Sequence, residues 1–154
     1  MKRALLTGGE GEFLTLSAAD QRARLTWGRA AAESIGIHAT SFVAPAWLYN
    51  DALRPALAAT GFRYTEDHWQ VIDIASNTAR TCPVITWATR TPLRRRGSLV
   101  VCPLLLKRWR HAPLLRIALH PHDFDYADTV QSITRVLSAA LAHRACVGYD
   151  DIFN

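Results

Sequence analysis

The chain has 154 residues, of which 49% are hydrophobic and 20% are charged, and this balance excludes a disordered or collagen-like chain. The formal net charge of +5 allows acidic partners but identifies none. The length favours a single domain over residues 1–154.

Neither the amino terminus nor the longest apolar run predicts membrane insertion. The apolar residues 4–6 are followed at once by polar ones, which is too short for a secretory signal. Residues 99–106 contain a proline and fall short of the roughly 20 residues that a membrane span needs. Cys82, Cys102 and Cys146 are widely spaced and form no CxxC pair, so we expect buried free thiols in a reducing compartment. A cytoplasmic location without membrane contact follows as the expectation.

Helix and strand patterns alternate along the first half of the chain. Ser17, with an acidic residue three positions later, approximates a capping box for a helix over residues 17–35, which Gly36 ends. Asn50 opens a second predicted helix that ends before Gly61. Short strands are predicted over residues 40–44, 62–64, 70–74 and 83–87.

The second half combines a basic block with a long helix. Residues 80–116 hold nine basic residues and no acidic one, and the apolar stretch 99–106 within them is predicted to be buried. Residues 114–119 predict an inner strand that ends at His120. A long helix follows the polar segment 120–125 and carries core-spaced Val130, Ile133, Val136, Leu137, Ala140 and Leu141. This alternation indicates an α/β layer or barrel.

The polar segment after the last predicted strand carries the most chemistry. His120 follows an apolar strand, and the carboxyl ends of parallel strands are where proton transfer and metal ligation usually occur. On an extended backbone His120 and His122 would project to one side and suit a metal, whereas Pro121 can separate them. The alternative is that Asp123 or Asp125 caps the next helix while a backbone hydrogen bond holds His120.

Other motifs are weaker. The glycines at 8, 9 and 11 are not followed by Lys-Ser/Thr, so no phosphate loop is predicted, and no Gly-x-Ser-x-Gly elbow is present. The basic block includes Trp87 and Trp109, which suits phosphate neutralisation and base stacking, or else a solvated face with inward aromatics. Trp47 is either a sugar-stacking platform or a core aromatic.

Four segments, in this order and spacing, resemble the later part of polysaccharide deacetylase-like proteins of the NodB-homology group, in its uncharacterised bacterial branch. They are residues 9–14 (GEGEFL), 42–48 (FVAPAWL), 61–64 (GFRY) and 115–121 (LRIALHP). The likeness covers nearly the whole chain. It implies a partial or distorted (β/α) barrel fold. It also implies an enzyme that removes acetyl groups from N-acetylated sugars with a divalent metal, for which zinc is the expected ion.

The resemblance also implies roles for particular residues. His120 matches the histidine that ends a late barrel strand and acts as general acid toward the leaving amine. Asp123 is the residue that we expect to orient it, so these two are the predicted catalytic residues. Pro45 and Trp47 lie in the segment that matches the substrate-groove loop, and with Tyr64 they are the predicted substrate-binding residues.

Departures from the family pattern limit the expected activity. The family's His-x-x-x-His motif and early aspartates would precede Gly8 and are absent, so no metal ligand and no cofactor are predicted in this chain. The arginine that usually precedes the groove proline is also absent. We expect an incomplete or inactive deacetylase-like hydrolase that self-associates through uncovered strands, with carbohydrate as a possible substrate. The alternative is a non-catalytic module in which residues 80–116 bind polyanions or nucleic acid.

Overall fold

The computed structural model describes residues 11–154, which form two compact units. The first contains residues up to Arg80 together with Phe153, and the second contains residues 81–152 together with Asn154. The prediction of one domain over residues 1–154 stays a prediction. The short apolar segment 4–6, the glycines at 8 and 9 and the start of the 9–14 motif lie outside the described residues.

The helices of the first unit follow the sequence pattern. Helix α1 spans Ala18–Ser34, and the Ser17 hydroxyl accepts a hydrogen bond from the Asp20 amide at 3.2 Å. Gly36 has φ +81°, a left-handed conformation that glycine adopts without strain, so the chain turns away there. Helix α2 spans Leu53–Ala59. These two predicted helices are confirmed.

The sheet of the first unit has three short strands in the order β1-β2-β3. They are β1 (Tyr64–Glu66), β2 (Gln70–Asp73) and β3 (Thr78–Thr81). Strand β1 is antiparallel to β2. The strand predicted over residues 40–44 is wrong, because that segment makes only an isolated bridge from Ser41 to Tyr64 before the chain turns at Pro45.

Apolar side chains from both helices close the core of the first unit. Burying such side chains is the main favourable contribution to folding, about 25 cal/mol for each Å² of apolar surface removed from water. The buried members of this cluster are Phe13, Leu25, Ala44, Leu53, Ala56, Leu57 and Phe62.

The second unit is built around a parallel strand pair. Strand β4 (Val84–Thr86) pairs with β5 (Arg116–Ala118). The two are joined through helix α3 (Pro92–Arg108), and helix α4 (Ala127–Leu141) and the short α5 (Tyr149–Phe153) follow. Helix α3 packs against α4 and β4. The buried core of this unit consists of Ile85, Trp87, Cys102, Ile133 and Val136.

Helix α3 corrects the expectation that the whole apolar stretch 99–106 is buried. A helix presents only one face to its neighbours, so Cys102 is buried while Val100 and Leu104 are 63% and 58% exposed. The predicted long helix after residue 125 is confirmed as α4, and its buried residues include Ile133 and Val136.

The mixed α/β class is confirmed at the level of helices combined with small sheets. Residues 11–154 do not form the predicted barrel, because their strands lie in two separate small sheets and β1 pairs antiparallel to β2. A (β/α) barrel requires one closed ring of parallel strands. Within the same part of the chain, no helix has the length and apolar character required to cross a membrane.

Candidate functional site

The parallel pairing of β4 and β5 brings two loops to the same edge of their sheet. Parallel strands have their carboxyl ends on one side, so the residues after Thr86 and those after Ala118 leave the sheet together. Thr89 lies in the first loop, and its hydroxyl donates to Asp123 Oδ1 at 3.0 Å. The side chain of Asp123 thereby joins the two loops.

The turn after β5 is a short 3-10 helix, Pro121–Asp125, which begins directly after His120. The His120 amide donates to Asp123 Oδ2 at 2.8 Å, and the Asp123 amide donates back to the His120 carbonyl at 2.9 Å. Proline at the first position suits such a helix because its fixed φ matches and no amide is needed there. Asp123 is therefore a fully buried carboxylate with a donor on each oxygen.

The His120 imidazole lies on the exposed side of this turn. Its Nδ1 accepts a hydrogen bond from the His122 amide at 3.3 Å. The rings of His120 and His122 are stacked, with their centroids 5.3 Å apart. Both catalytic residues predicted from the sequence, His120 and Asp123, thus lie in one turn, and the backbone hydrogen bond weighed as the alternative is also present.

Cys102 lies on the buried side of the same unit. Its thiol donates to the Thr86 carbonyl at 3.4 Å. Burial and, secondly, the negative charge of Asp123 raise the pKa of Cys102 to about 12. At neutral pH it is a protonated thiol and hence a poor nucleophile. The prediction of buried free thiols is confirmed for Cys82 and Cys102 and is wrong for Cys146, which is exposed near the carboxyl terminus.

The polar residues of this turn hydrogen-bond to one another and do not converge as the three ligands that a catalytic metal needs. His120 Nδ1 accepts an amide hydrogen, and both oxygens of Asp123 already accept donors. His122 Nδ1 instead lies 2.9 Å from Asp125 Oδ2. Nowhere in residues 11–154 do three or more His, Cys, Asp or Glu residues lie together as metal ligands would.

The predicted groove residues belong to the first unit. Pro45–Trp47 is a 3-10 turn in which Ala46 and Trp47 have φ +55° and +54°. Left-handed backbone costs a residue with a side chain about 1–2 kcal/mol, and such strain is concentrated at functional sites. The indole of the half-buried Trp47 donates to Glu66 Oε1 at 2.9 Å, and its ring lies 4.7 Å from that of His68.

Tyr64 differs from the other predicted groove residues because it is fully buried. It lies in β1, and the Arg63 guanidinium is 4.8 Å from the centre of its ring. Strand β1 is buried at all three positions, so Tyr64 packs inside the unit. The expectation that its ring contacts substrate is corrected to a packing role.

Sequence reasoning missed two features of the His120 turn. Phe124 lies within it and is 57% exposed, which is unusual for a phenylalanine in a polar segment. The sequence did offer one indication of its place at the site, because Phe124 is only four residues after His120. Arg95 of α3 reaches the end of the turn, where it pairs with Asp128 and lies 4.6 Å from the centre of the Tyr126 ring.

The Asp128 carboxylate has opposing influences on its ionisation. Desolvation, the largest single effect, acts to raise its pKa. The hydrogen bond and charge of Arg95, together with the Thr129 amide, outweigh it and hold the pKa of Asp128 below the usual 3.8. Asp128 therefore stays ionised at neutral pH beside the start of α4.

The basic block is divided between solvent and interior. Trp87 is buried and donates to the Ser132 hydroxyl at 3.2 Å, and the half-buried Trp109 packs against the core of the second unit. Arg116 donates from Nε to the Cys82 carbonyl at 2.8 Å. The two aromatic residues proposed for base stacking thus serve the core.

Comparisons with known proteins identify no relative of this chain. The edge beyond β4 and β5 brings together Thr89, His120 and Asp123, with Phe124 exposed in the same turn. No protein-family model matches the chain, and neither do any curated proteins or solved structures.

Proposed function

We propose that this chain is a carbohydrate-deacetylase-like protein that acts on the carbon-nitrogen bond of N-acetylated sugars, with His120 as its general acid. One observation carries the proposal. An exposed histidine follows the carboxyl end of a parallel strand and is fixed by a buried carboxylate that also joins the neighbouring loop. This is the position at which α/β proteins place catalytic groups.

The chemistry proposed for His120 is protonation of the leaving amine. Imidazole suits this role because it changes charge between pH 5 and pH 8, so both forms are accessible near neutrality. As the tetrahedral intermediate collapses, the imidazolium gives a proton to the amine nitrogen, the carbon-nitrogen bond breaks, and the ring becomes neutral. Such general acids typically contribute a factor of about 10²–10⁴ to the rate.

Exposed aromatic residues supply the proposed sugar contacts. Phe124 offers a ring face beside the proton-transfer edge, and pyranose rings stack on such apolar faces. Pro45 and the half-buried Trp47 belong to the first unit, where they remain proposed as substrate-binding residues on their own, supported by the strained turn that holds them. Tyr64 is left out because it is buried.

We propose that this chain supplies the general acid of a deacetylase site and not the metal ligands of such a site. Because the described residues do not fit a metal, we expect no tightly bound zinc and no deacetylation of N-acetylglucosamine oligomers by this chain alone. The divalent metal belongs to the family that the sequence resembles. Elemental analysis that found one zinc per chain, lost in His120→Ala or His122→Ala, would contradict this expectation.

Ligand binding tests the proposed function without requiring turnover. We expect N-acetylglucosamine tetramers to shift the NMR signals of the His120 and Phe124 rings, and the fully deacetylated tetramer to shift them much less. Phe124→Ala should weaken binding by about 3–10-fold, the amount expected for one exposed stacking contact. Trp27→Ala removes an aromatic residue that is 76% exposed in α1 and serves as the matched control.

Two results would refute the sugar-binding proposal. One is the absence of any His120 shift at millimolar acetylated tetramer. The other is an equal response to the acetylated and deacetylated ligands, because the acetamide is the group that the proposed site must recognise.

Polyanion binding by residues 80–116 remains the second candidate, supported by the exposed Arg94, Arg96, Lys107 and Arg108 of α3. Helix α3 contains no acidic residue to offset them. A salt titration of single-stranded nucleic acid binding separates the candidates, because affinity carried by phosphate contacts falls steeply with salt. Binding that is absent or insensitive to salt removes this candidate.

We also propose that the chain self-associates, through an apolar stripe on α3 made of Leu93, Val100 and Leu104. The spacing of seven and four residues places these side chains on one face of the helix, and all three are more than half exposed. Gly97 lies on the same face, and a Cβ added there would meet nothing within 4 Å. Exposed apolar side chains gathered on one helix face are typical of an interaction site.

A further inference from the structure

We propose that the His120 imidazole, in its neutral form, carries its proton on Nε2, and that Asp123 and Thr89 are positioning residues that hold this tautomer. The inference uses the proposed function only to say which proton is delivered to the substrate. Its evidence is the hydrogen bonding of the turn, which can be measured without any sugar.

The tautomer follows from the donor that faces Nδ1. The His122 amide can only donate, and it lies 3.3 Å from Nδ1 of His120. Nδ1 must therefore present its lone pair, and a neutral imidazole has exactly one protonated nitrogen. The proton is consequently on Nε2, the nitrogen that is not engaged by the backbone of the turn.

Asp123 acts on His120 through the backbone and not through the ring. Its Oδ2 accepts the amide of His120 itself at 2.8 Å, and the Asp123 amide bonds the His120 carbonyl at 2.9 Å. These two bonds fix residues 120–123 as a closed turn, and this closure aims the His122 amide at Nδ1. The sequence predicted that Asp123 orients the histidine, and the proposed means is its hydrogen bonding to the His120 backbone.

Thr89 completes the arrangement from the neighbouring loop. Its hydroxyl donates to the second oxygen of Asp123 at 3.0 Å, so the buried carboxylate has a donor on each side. A buried carboxylate oxygen that loses its donor is destabilised, so loss of the hydroxyl favours rotation of Asp123 away from the His120 amide. The hydrogen bond of Thr89 is to Asp123, so we propose that Thr89 acts on His120 through that carboxylate.

The arrangement has a consequence for acid catalysis. To act as an acid His120 must accept a second proton, and the nitrogen available for it is Nδ1, where the His122 amide now donates. Charging the ring therefore displaces that amide. The imidazolium then releases the Nε2 proton to the leaving amine and keeps the proton on Nδ1, so solvent exchange must restore the resting tautomer before the next cycle.

Nitrogen NMR of the full chain tests the inference. Long-range proton–nitrogen correlations at pH 8 report which imidazole nitrogen carries the proton. We expect a single Nε2–H pattern for His120, whereas the exposed His38 in the first unit should show the averaged pattern of a solvated ring. A dominant Nδ1–H pattern, or a His120 pattern equal to that of His38, would overturn the proposal.

Three variants distinguish positioning from mere stability. Thr89→Val keeps the shape but removes the hydroxyl, and it should convert the His120 pattern to an average of both tautomers. Thr89→Ser restores the hydroxyl and should restore the single pattern. Asp123→Asn should have at least the effect of Thr89→Val, and if it does not fold, the two Thr89 variants still decide.

The two proposals can fail separately. A single Nε2–H pattern that collapses in Thr89→Val supports the positioning scheme even if no acetylated sugar binds. Conversely, sugar binding at His120 with an unchanged tautomer in Thr89→Val leaves the function standing and refutes the role of Thr89.

Discussion

Cys102 shows how a single buried group makes stability depend on pH. Burial and the charge of Asp123 raise its pKa from 9.0 to about 12 in the folded chain. Below pH 9 the thiol is protonated in both states, and the stabilising effect is complete. Between pH 9 and about pH 12 only the unfolded chain releases the proton, so the free energy of unfolding must fall as pH rises.

Urea unfolding at pH 8 and at about pH 10 measures this loss. Cys102→Ala should lower stability at both pH values because it leaves a cavity, but the loss between them should be smaller than in the wild type. The exposed Cys146 provides the control, since Cys146→Ala should leave the pH dependence unchanged. Equal losses in the wild type and Cys102→Ala would contradict the assignment.

At the scale of single residues, the sequence predicted those parts of the site that are local along the chain. His120 and Asp123 were identified because they follow an apolar strand and precede a helix. Tertiary packing brings the Thr89 hydroxyl to Asp123 and places the Cys102 thiol within reach of the Asp123 charge, and nothing near either residue in sequence marks this. Tyr64 was misassigned because an aromatic residue in a short strand has the same pattern whether it is buried or open.

Helix α3 contains a proline at an interior position. Pro103 has no amide to donate to the carbonyl four residues earlier, and its ring crowds that carbonyl. Because Pro103 is exposed, its replacement loses little packing. Pro103→Ala is therefore expected to stabilise the chain by about 1–3 kcal/mol, seen as a higher Tm in thermal unfolding.

Pro92 of the same helix supplies the comparison. It lies in the first turn, where an amide has no partner within the helix and the fixed φ of proline is favourable. Pro92→Ala should leave the Tm unchanged or slightly lower. A Tm that does not rise in Pro103→Ala would mean that α3 tolerates its proline without cost.

Whole elements were predictable where caps and periodicity agree. Helix α1 has its serine cap and terminal glycine, and α4 has a clear apolar face. Helix α3 was missed because apolar residues occur on both its buried and exposed faces, and because Pro103 argues against a helix. The strand predicted over residues 40–44 failed because a left-handed turn at Ala46 follows and ends the extended segment.

The whole chain is expected to associate through the stripe of Leu93, Val100 and Leu104, and salt should promote this. Arg96, Lys107 and Arg108 are also exposed on α3, so two such helices brought together would repel each other. Salt screens that repulsion over about 8 Å at physiological ionic strength and leaves the apolar contact intact. The mean mass from light scattering should rise with salt at micromolar protein.

A charge placed in the stripe tests which surface is responsible. Leu104→Glu should keep the chain monomeric at salt concentrations where the wild type associates. Ala139→Glu introduces the same charge at an exposed position of α4 and should behave like the wild type. A clean wild-type monomer at every salt concentration would contradict the proposed self-association.

The parallel pairing of β4 with β5 also sets an order of assembly. The register places Ile117 opposite Ile85, so this contact closes a loop of roughly thirty residues, and the entropy lost in closing it must be recovered from few strand hydrogen bonds. We expect the pairing to form only once α3 has docked, with the amides of Ile85 and Ile117 exchanging with solvent whenever α3 opens. The edge that carries His120 would then be the last part of its unit to form. A destabilising substitution in α3 would therefore disrupt this edge without changing any residue of the site.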